Sequence, residues 1–143
     1  MIHDPSVELD PAEQLDARQR TVLIIDDDQD QAQTLAWRLQ SQGFETLTAA
    51  AGRRGLILAQ SERPDVVLLD LQLPDVDGLK ICEALTDGAT TAHIPVIILS
   101  GHERPDVVRQ ARVAGCHFYL RKPYDPNVVL MAVEQAIARS RDW

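Results

Sequence analysis

The sequence has little cysteine and no arrangement of cysteines that would define a structural framework. Its 143 residues include two, Cys82 and Cys116. Neither belongs to a C-x-x-C pair, and no Cys/His cluster has the spacing of a zinc site, which excludes a disulfide scaffold and a zinc module. Both thiols are therefore predicted to be buried small side chains in a reducing compartment.

Long apolar runs and clustered positive charge are also missing. The longest apolar runs are far too short to span a membrane, and no basic segment precedes one at the N-terminus, so no signal peptide is predicted. The 14 Lys and Arg residues are outnumbered by 22 Asp and Glu, giving a net charge of −8. Direct nucleic-acid binding, which needs clustered cations, is not expected. These features predict a cytoplasmic protein without membrane attachment.

The length and the hydrophobic fraction of 45% suit one globular domain with a real core. Residues 1–20 are acidic and polar and are predicted to be an extension outside that core. An Asp-Pro-x-Glu pattern at Asp10 is compatible with a short helix there. The domain is expected to cover residues 21–143. No effector segment is recognisable after it, so the chain is expected to be a stand-alone domain or a piece of a longer protein.

Strand and helix patterns alternate from residue 21 onwards. Residues 22–25, 66–69 and 96–99 are continuous apolar runs, which are typical of parallel strands buried on both faces. Residues 44–49 and 116–121 are half polar and are predicted to be edge strands. Helical periodicity predicts helices over residues 29–42, 51–62, 78–87, 105–114 and 127–139. The predicted fold is a doubly wound (βα)5 α/β domain, with helices on both faces of a parallel five-stranded sheet of order 2-1-3-4-5.

Acidic residues follow two strands that meet where the strand order reverses. Asp26, Asp27 and Asp28 end the first strand, and Asp70 ends the third. Ligands of open α/β sheets bind at this place, and a pocket of carboxylates favours a hard cation such as Mg²⁺. A single Asp there would more simply end a strand or cap a helix. A triple Asp together with Asp70 favours a metal site.

Two further strand ends carry residues suited to phosphate. Lys122 follows the fifth strand, and an ammonium there can pair with Asp70 and a phosphoryl oxygen. Its bond to Pro123 is a candidate for the cis form. Ser100 ends the fourth strand, and its hydroxyl can donate to a phosphoryl oxygen, although a helix-capping role is the simpler alternative.

Taken together, the segments VLIIDDD, VVLLDLQLPDVDGL, IPVIILSG and FYLRKPY resemble the four signature blocks of response-regulator receiver domains of two-component signalling. The blocks fall in order and with suitable spacing, and the resemblance covers about residues 21–140. It implies that Asp70 accepts a phosphoryl group in a reaction that depends on Mg²⁺ (or Mn²⁺). The donor would be a histidine kinase or a histidine phosphotransfer protein, and the domain itself would not be an enzyme.

The same resemblance implies roles for other residues of the blocks. Asp27 would be a direct metal ligand, Asp26 would act through water, and Gln72 would contribute its backbone carbonyl. Lys122 and Ser100 would assist the transfer. Ser100 and Tyr119 would form the switch, and the side chains of Gln72 and His102 would tune the lifetime of the phosphorylated state.

The output surface implied by the resemblance consists of the fourth helix, the fifth strand and the fifth helix, and it could also form a homodimer. Arg109, Arg112 and Arg121 are expected on this surface. Val129 and Met131 are expected outside the buried face of the fifth helix. They could contact a partner there, and ordinary solvent-exposed surface is the simpler alternative.

Two alternatives stay open. A receiver-like adaptor could bind partners without phosphorylation, although such domains usually lose the acceptor Asp or the Lys. The pair Asp26 and Asp28 also has the D-x-D spacing of haloacid-dehalogenase-type phosphatases. That reading leaves Asp70 and the Lys-Pro turn without a role.

Overall fold

A computed structural model describes residues 19–101 and 104–140. Five strands alternate with five helices within these ranges. The strands are β1 (Thr21–Ile25), β2 (Glu45–Ala49), β3 (Val66–Asp70), β4 (Val96–Ser100) and β5 (Phe118–Arg121). The helices are α1 (Gln29–Ser41), α2 (Gly52–Glu62), α3 (Gly78–Asp87), α4 (Pro105–Val113) and α5 (Pro126–Ser140).

The strands form one parallel sheet in the order β2-β1-β3-β4-β5. The predicted fold class, strand order and edge positions of β2 and β5 are therefore confirmed. Strands β3 and β4 are buried along their whole length, whereas β2 and β5 are largely half-buried. The carboxyl ends of β1 and β3, where the order reverses, lie side by side.

Alternate residues of the central strands serve two separate cores. Ile24, Leu68 and Ile97 face helices α1 and α5. Ile25, Leu69 and Ile98 face helices α2, α3 and α4. Each central strand therefore carries four consecutive apolar residues, because neighbouring side chains point to opposite, equally buried faces.

The stripe of buried residues on α5 differs from the prediction. Val129, expected on the surface, is fully buried, whereas its neighbour Leu130 is only half-buried. Met131 is exposed, as expected. The buried face of α5 also includes Ala132 and Ala136, and small side chains of this kind let the helix pack closely. Val133 and Ile137 are buried as well. A count of large apolar residues does not register the two alanines and cannot tell Val129 from Leu130.

The remaining expectations have mixed outcomes. Cys82 is buried as predicted, and burial raises the pKa of its thiol to about 12, but Cys116 is only half-buried. The Lys122–Pro123 bond is cis. The expected helix at Asp10 lies outside the described residues, and the domain limits stay predictions. Among the described helices, none combines the length and hydropathy that crossing a bilayer would require.

Candidate functional site

Three charged side chains from distant parts of the sequence meet at the carboxyl ends of the strands. Asp70 is the last residue of β3, Asp26 directly follows β1, and Lys122 directly follows β5. The Lys122 Nζ donates to Asp70 Oδ2 over 2.9 Å and lies 3.5 Å from Asp26 Oδ2. The side chains of Asp26 and Asp70 are 5% and 9% exposed, so the lysine holds two nearly buried carboxylates together.

Asp27 extends this group toward solvent. One carboxylate oxygen from each of Asp26, Asp27 and Asp70 can lie within 4.8 Å of the others, and Asp27 is exposed. Three carboxylates converge there, and the ammonium of Lys122 contacts two of them. A hard divalent cation prefers such oxygen ligands, so the donor set fits Mg²⁺.

Burial dominates the electrostatics of the site. It raises the pKa of Asp26 from an ordinary value of 3.8 to about 6, against the lowering effects of the Asp28 backbone N–H and of the Lys122 charge. Repulsion by Asp70 adds to the rise. Burial acts to lower the pKa of Lys122, but its hydrogen bond and attraction to Asp70, followed by those to Asp26, outweigh burial and raise it. The lysine is therefore charged at neutral pH.

Backbone N–H groups fix the orientation of both buried carboxylates. The Gln72 N–H donates to Asp70 Oδ1 over 3.0 Å, and the Asp28 N–H donates to Asp26 Oδ1 over 2.9 Å. With Lys122 on the other oxygen, each carboxylate is held at both ends.

Asp28, the third Asp of the triplet, has a structural role. The Asp28 carboxylate accepts from the Gln31 N–H over 3.1 Å and caps the N-terminus of α1. The simple capping interpretation therefore holds for Asp28, whereas Asp26 and Asp27 belong to the acidic cluster.

The loop after Asp70 is held tightly against α3. The Gly78 N–H donates to the Leu71 carbonyl over 3.1 Å. A Cβ on Gly78 would lie 2.5 Å from Leu71 Cα and 2.8 Å from the Asp70 carbonyl oxygen. Glycine is required because backbone atoms cannot move aside cheaply. The start of α3 thereby fixes the position of the strand end that carries Asp70.

Asp75 is a positioning residue that sequence analysis missed. Its two carboxylate oxygens accept from the N–H groups of Gly52 and Arg53, over 2.8 and 3.0 Å, at the start of α2. The N-cap residue Ala51 offers no side-chain cap, so Asp75 takes over that function from another loop. Because the partners are far apart in sequence, no local pattern could have revealed the contact.

The remaining predicted site residues have different placements. Ser100 is fully buried at the end of β4, beside β3. Tyr119 lies on β5 next to Ile98 and is half-buried against the core that includes α2, α3 and α4. Gln72 is exposed, and His102 lies outside the described residues.

Comparison with known proteins agrees with this arrangement. The profile of the response regulator receiver domain family matches residues 22–134. The chain belongs to this family. It is thus a receiver domain of two-component signalling, with the four signature blocks at four neighbouring strand ends.

Individual relatives show how much of the chain is shared. Protein PilH of Pseudomonas aeruginosa is 33% identical over 117 residues, which cover 82% of this chain and 97% of PilH. A response regulator receiver domain protein from Clostridium thermocellum is 32% identical, with a TM-score of 0.79 over 85% of this chain and 97% of that one. A CheY-like receiver domain protein from Methanospirillum hungatei superposes with a TM-score of 0.83 at 23% identity, which supports the fold alone.

Other relatives are much longer than this receiver domain. The response regulator PleD of Caulobacter vibrioides is 32% identical over 82% of this chain, but the match spans 26% of PleD. The match to the transcriptional regulator RpaA of Synechocystis spans 49% of that protein. The family therefore includes proteins in which a receiver of this kind is one part of a larger chain.

Proposed function

We propose that this receiver domain accepts a phosphoryl group on Asp70 from the phosphohistidine of a histidine kinase or histidine phosphotransfer protein. The bridge that Lys122 forms between Asp70 and Asp26 supports the proposal most directly. It places a fixed positive charge beside a nearly buried carboxylate, where a dianionic phosphoryl group would otherwise be repelled by the acidic cluster.

In the transfer step, a lone pair of an Asp70 carboxylate oxygen attacks the phosphorus. The P–N bond of the phosphohistidine breaks, and its electron pair returns to the imidazole nitrogen, which takes up a proton. Asp70 becomes an acyl phosphate, and attack by water later releases inorganic phosphate. The transition state is loose, so positioning and neutralisation of charge supply most of the acceleration. Lys122 and the hydroxyl of Ser100 are the protein groups proposed to contact the phosphoryl oxygens.

The metal site proposed for this step consists of Asp26, Asp27, Asp70 and the backbone carbonyl of Gln72. A bound Mg²⁺ or Mn²⁺ would supply positive charge that offsets the phosphoryl oxygens. The chain's own contribution is to hold the carboxylates together against their mutual repulsion. The backbone N–H groups of Asp28 and Gln72 do this with Lys122.

The proposed output is a shift between two arrangements of one surface. Phosphate on Asp70 would draw Ser100 inward and favour a more buried position of Tyr119. Both side chains border α4, β5 and α5, where Arg109, Arg112 and Arg121 are exposed. We propose that this surface contacts a downstream partner or a second copy of the chain. The side chains of Gln72 and His102 are proposed to tune the lifetime of the acyl phosphate.

Further expectations accompany this function. No direct contact with nucleic acid is proposed for the receiver, because its net charge is −8. The cytoplasm remains the proposed location. Residues 1–20 are proposed to lie outside the domain that covers 21–143.

Acetyl phosphate offers a direct test. With Mg²⁺, the protein should gain the mass of one phosphoryl group, and the gain should disappear with EDTA. Asp70→Ala should abolish it, whereas Asp87→Asn, at the far end of α3, should leave it intact. Lys122→Ala should slow it by at least about tenfold, because a charge-assisted hydrogen bond is lost. Unchanged labelling of the Asp70→Ala protein would contradict the assignment of the acceptor.

Two assays separate the alternatives, acetyl phosphate labelling for the adaptor and hydrolysis of p-nitrophenyl phosphate for the phosphatase. An adaptor that works without phosphorylation would gain no mass under any condition. A D-x-D phosphatase would hydrolyse p-nitrophenyl phosphate with turnover that Asp26→Asn abolishes. Asp28, the second acid of that motif, caps α1, which argues against the phosphatase.

A further inference from the structure

A cleft of about 950 Å³ opens at the opposite end of the strands from Asp70, where β3, β4 and β5 begin. Its apolar lining includes Pro64, Ala92, Pro95 and Ala136. Arg63, His93, His117 and Arg139 also line it. Apolar walls with a few convergent polar groups are the usual make-up of a small-molecule site, and the volume is in the range of such sites.

The cleft concentrates positive charge in an acidic protein. Arg63 and Arg139 line it in a chain whose net charge is −8. The one acidic side chain in the lining, Asp65, pairs with Arg20 over 3.5 Å and accepts from the Thr21 N–H over 2.8 Å. Its charge is therefore compensated outside the cleft, and the lining as a whole favours an anion.

Packing orients two of the polar groups. The Arg139 guanidinium lies over the Phe118 ring, 5.5 Å from its centroid. The Val96 N–H donates to His117 Nδ1 over 3.3 Å, so the proton of the neutral imidazole is on Nε2, which is a donor. Burial, with help from the charge of Arg139, lowers the pKa of His117, which keeps the ring neutral at pH 7.

Arg63 has a backbone conformation that usually belongs to glycine. It ends α2 with φ 48° and ψ 62°, in the left-handed region. Glycine would adopt this conformation without steric cost. The arginine side chain is therefore present despite an unfavourable backbone, and it lines the cleft.

From these observations we propose that the cleft binds a small organic anion, with an oxyanion head between Arg63 and Arg139 and an apolar body against Pro64, Pro95 and Ala136. Phosphate and carboxylate both present two oxygens that can accept paired hydrogen bonds from one guanidinium group. The site lies at the other end of the strands from Asp70, so it does not depend on the proposed phosphotransfer.

Titration of the isotope-labelled protein by NMR tests the proposal. Phenyl phosphate and benzoate serve as separate probes, in EDTA, so that the acidic cluster has no metal to attract them. Saturable shifts are expected for the amides of Ala92, His93 and His117. A response to one probe identifies its head group as the preferred oxyanion, and a response to both supports the shared chemistry.

Two variants remove the proposed contacts. Arg63→Gly and Arg139→Gln should each weaken binding by about tenfold, the effect of one charge-assisted hydrogen bond. Arg63→Gly also suits the local backbone, so lost binding in a folded protein cannot be attributed to unfolding. Arg54→Gln, an exposed arginine elsewhere on α2, is the matched control and should bind normally. Shifts that do not saturate, that lie elsewhere, or that persist in both variants would overturn the proposal.

Discussion

Replacing Asp26 by Asn should stabilise the metal-free protein at neutral pH. The pKa of Asp26 is raised from 3.8 to about 6, so the folded state binds a proton that the unfolded state releases at lower pH. Wild-type stability should therefore fall as pH rises between these values and stay lower above them. A difference of about two pH units, at about 1.4 kcal/mol each, sets an upper bound of about 3 kcal/mol. Screening by solvent at the open side of the site reduces this to about 1–3 kcal/mol.

Urea unfolding in EDTA at several pH values between 4 and 8 measures the effect. The free energy of unfolding of Asp26→Asn should exceed that of the wild type by about 1–3 kcal/mol at pH 7.5. The difference should shrink to about 0.5 kcal/mol near pH 4, because Asp26 of the folded wild type is then protonated and neutral like Asn. Asn keeps an oxygen to accept from the Asp28 N–H. Asp87→Asn removes the same charge from an exposed helix end and is the matched control for net charge.

Adding Mg²⁺ should favour the wild type instead of the variant. A cation that binds the folded state stabilises it, and the wild type should gain more than Asp26→Asn. Equal pH dependence of the two proteins in EDTA would refute the reasoning, because it would mean that Asp26 titrates alike in the folded and unfolded states.

Two further predictions concern positions outside the carboxylate cluster. Gly78→Ala should lower the free energy of unfolding by about 1–3 kcal/mol because its Cβ would meet backbone atoms. Gly101→Ala, with open space around its Cβ, should change it little, and equal urea midpoints for the two variants would contradict the steric argument. Below pH 6.5, the unfolded chain should bind a proton at His117 more readily than the folded chain, whose pKa is lowered. The difference in free energy of unfolding between the wild type and His117→Gln should therefore shrink from pH 7.5 to pH 5, and a constant difference in urea unfolding would refute it.

Most of the architecture could be predicted because it is encoded locally. The apolar runs of β1, β3 and β4 are visible in the sequence, and the alternation with helices predicts a parallel sheet. The observed bounds of β1 and β3 differ from the predicted ones by a single residue. Strand β5 begins two residues later than predicted, although the His117 N–H already bonds to the Val96 carbonyl.

Features that depend on distant contacts could not be predicted. Asp75 caps α2 across a gap of 23 residues, which no local motif records. The buried face of α5 depends on close packing through Ala132 and Ala136, and alanine gives a weak signal in a count of large apolar residues. The convergence of Asp26, Asp70 and Lys122 was predictable only because the strand order brings their strand ends together.

The lysine bridge connects residues that are far apart along the chain. Lys122 contacts Asp26 across 96 positions and Asp70 across 52. A chain still emerging from the ribosome, or one with its last strand detached, has both carboxylates but lacks the ammonium group. If Asp70 is the acceptor, labelling would become fast only once β5 has joined the sheet, and its rate would report the docking of that strand.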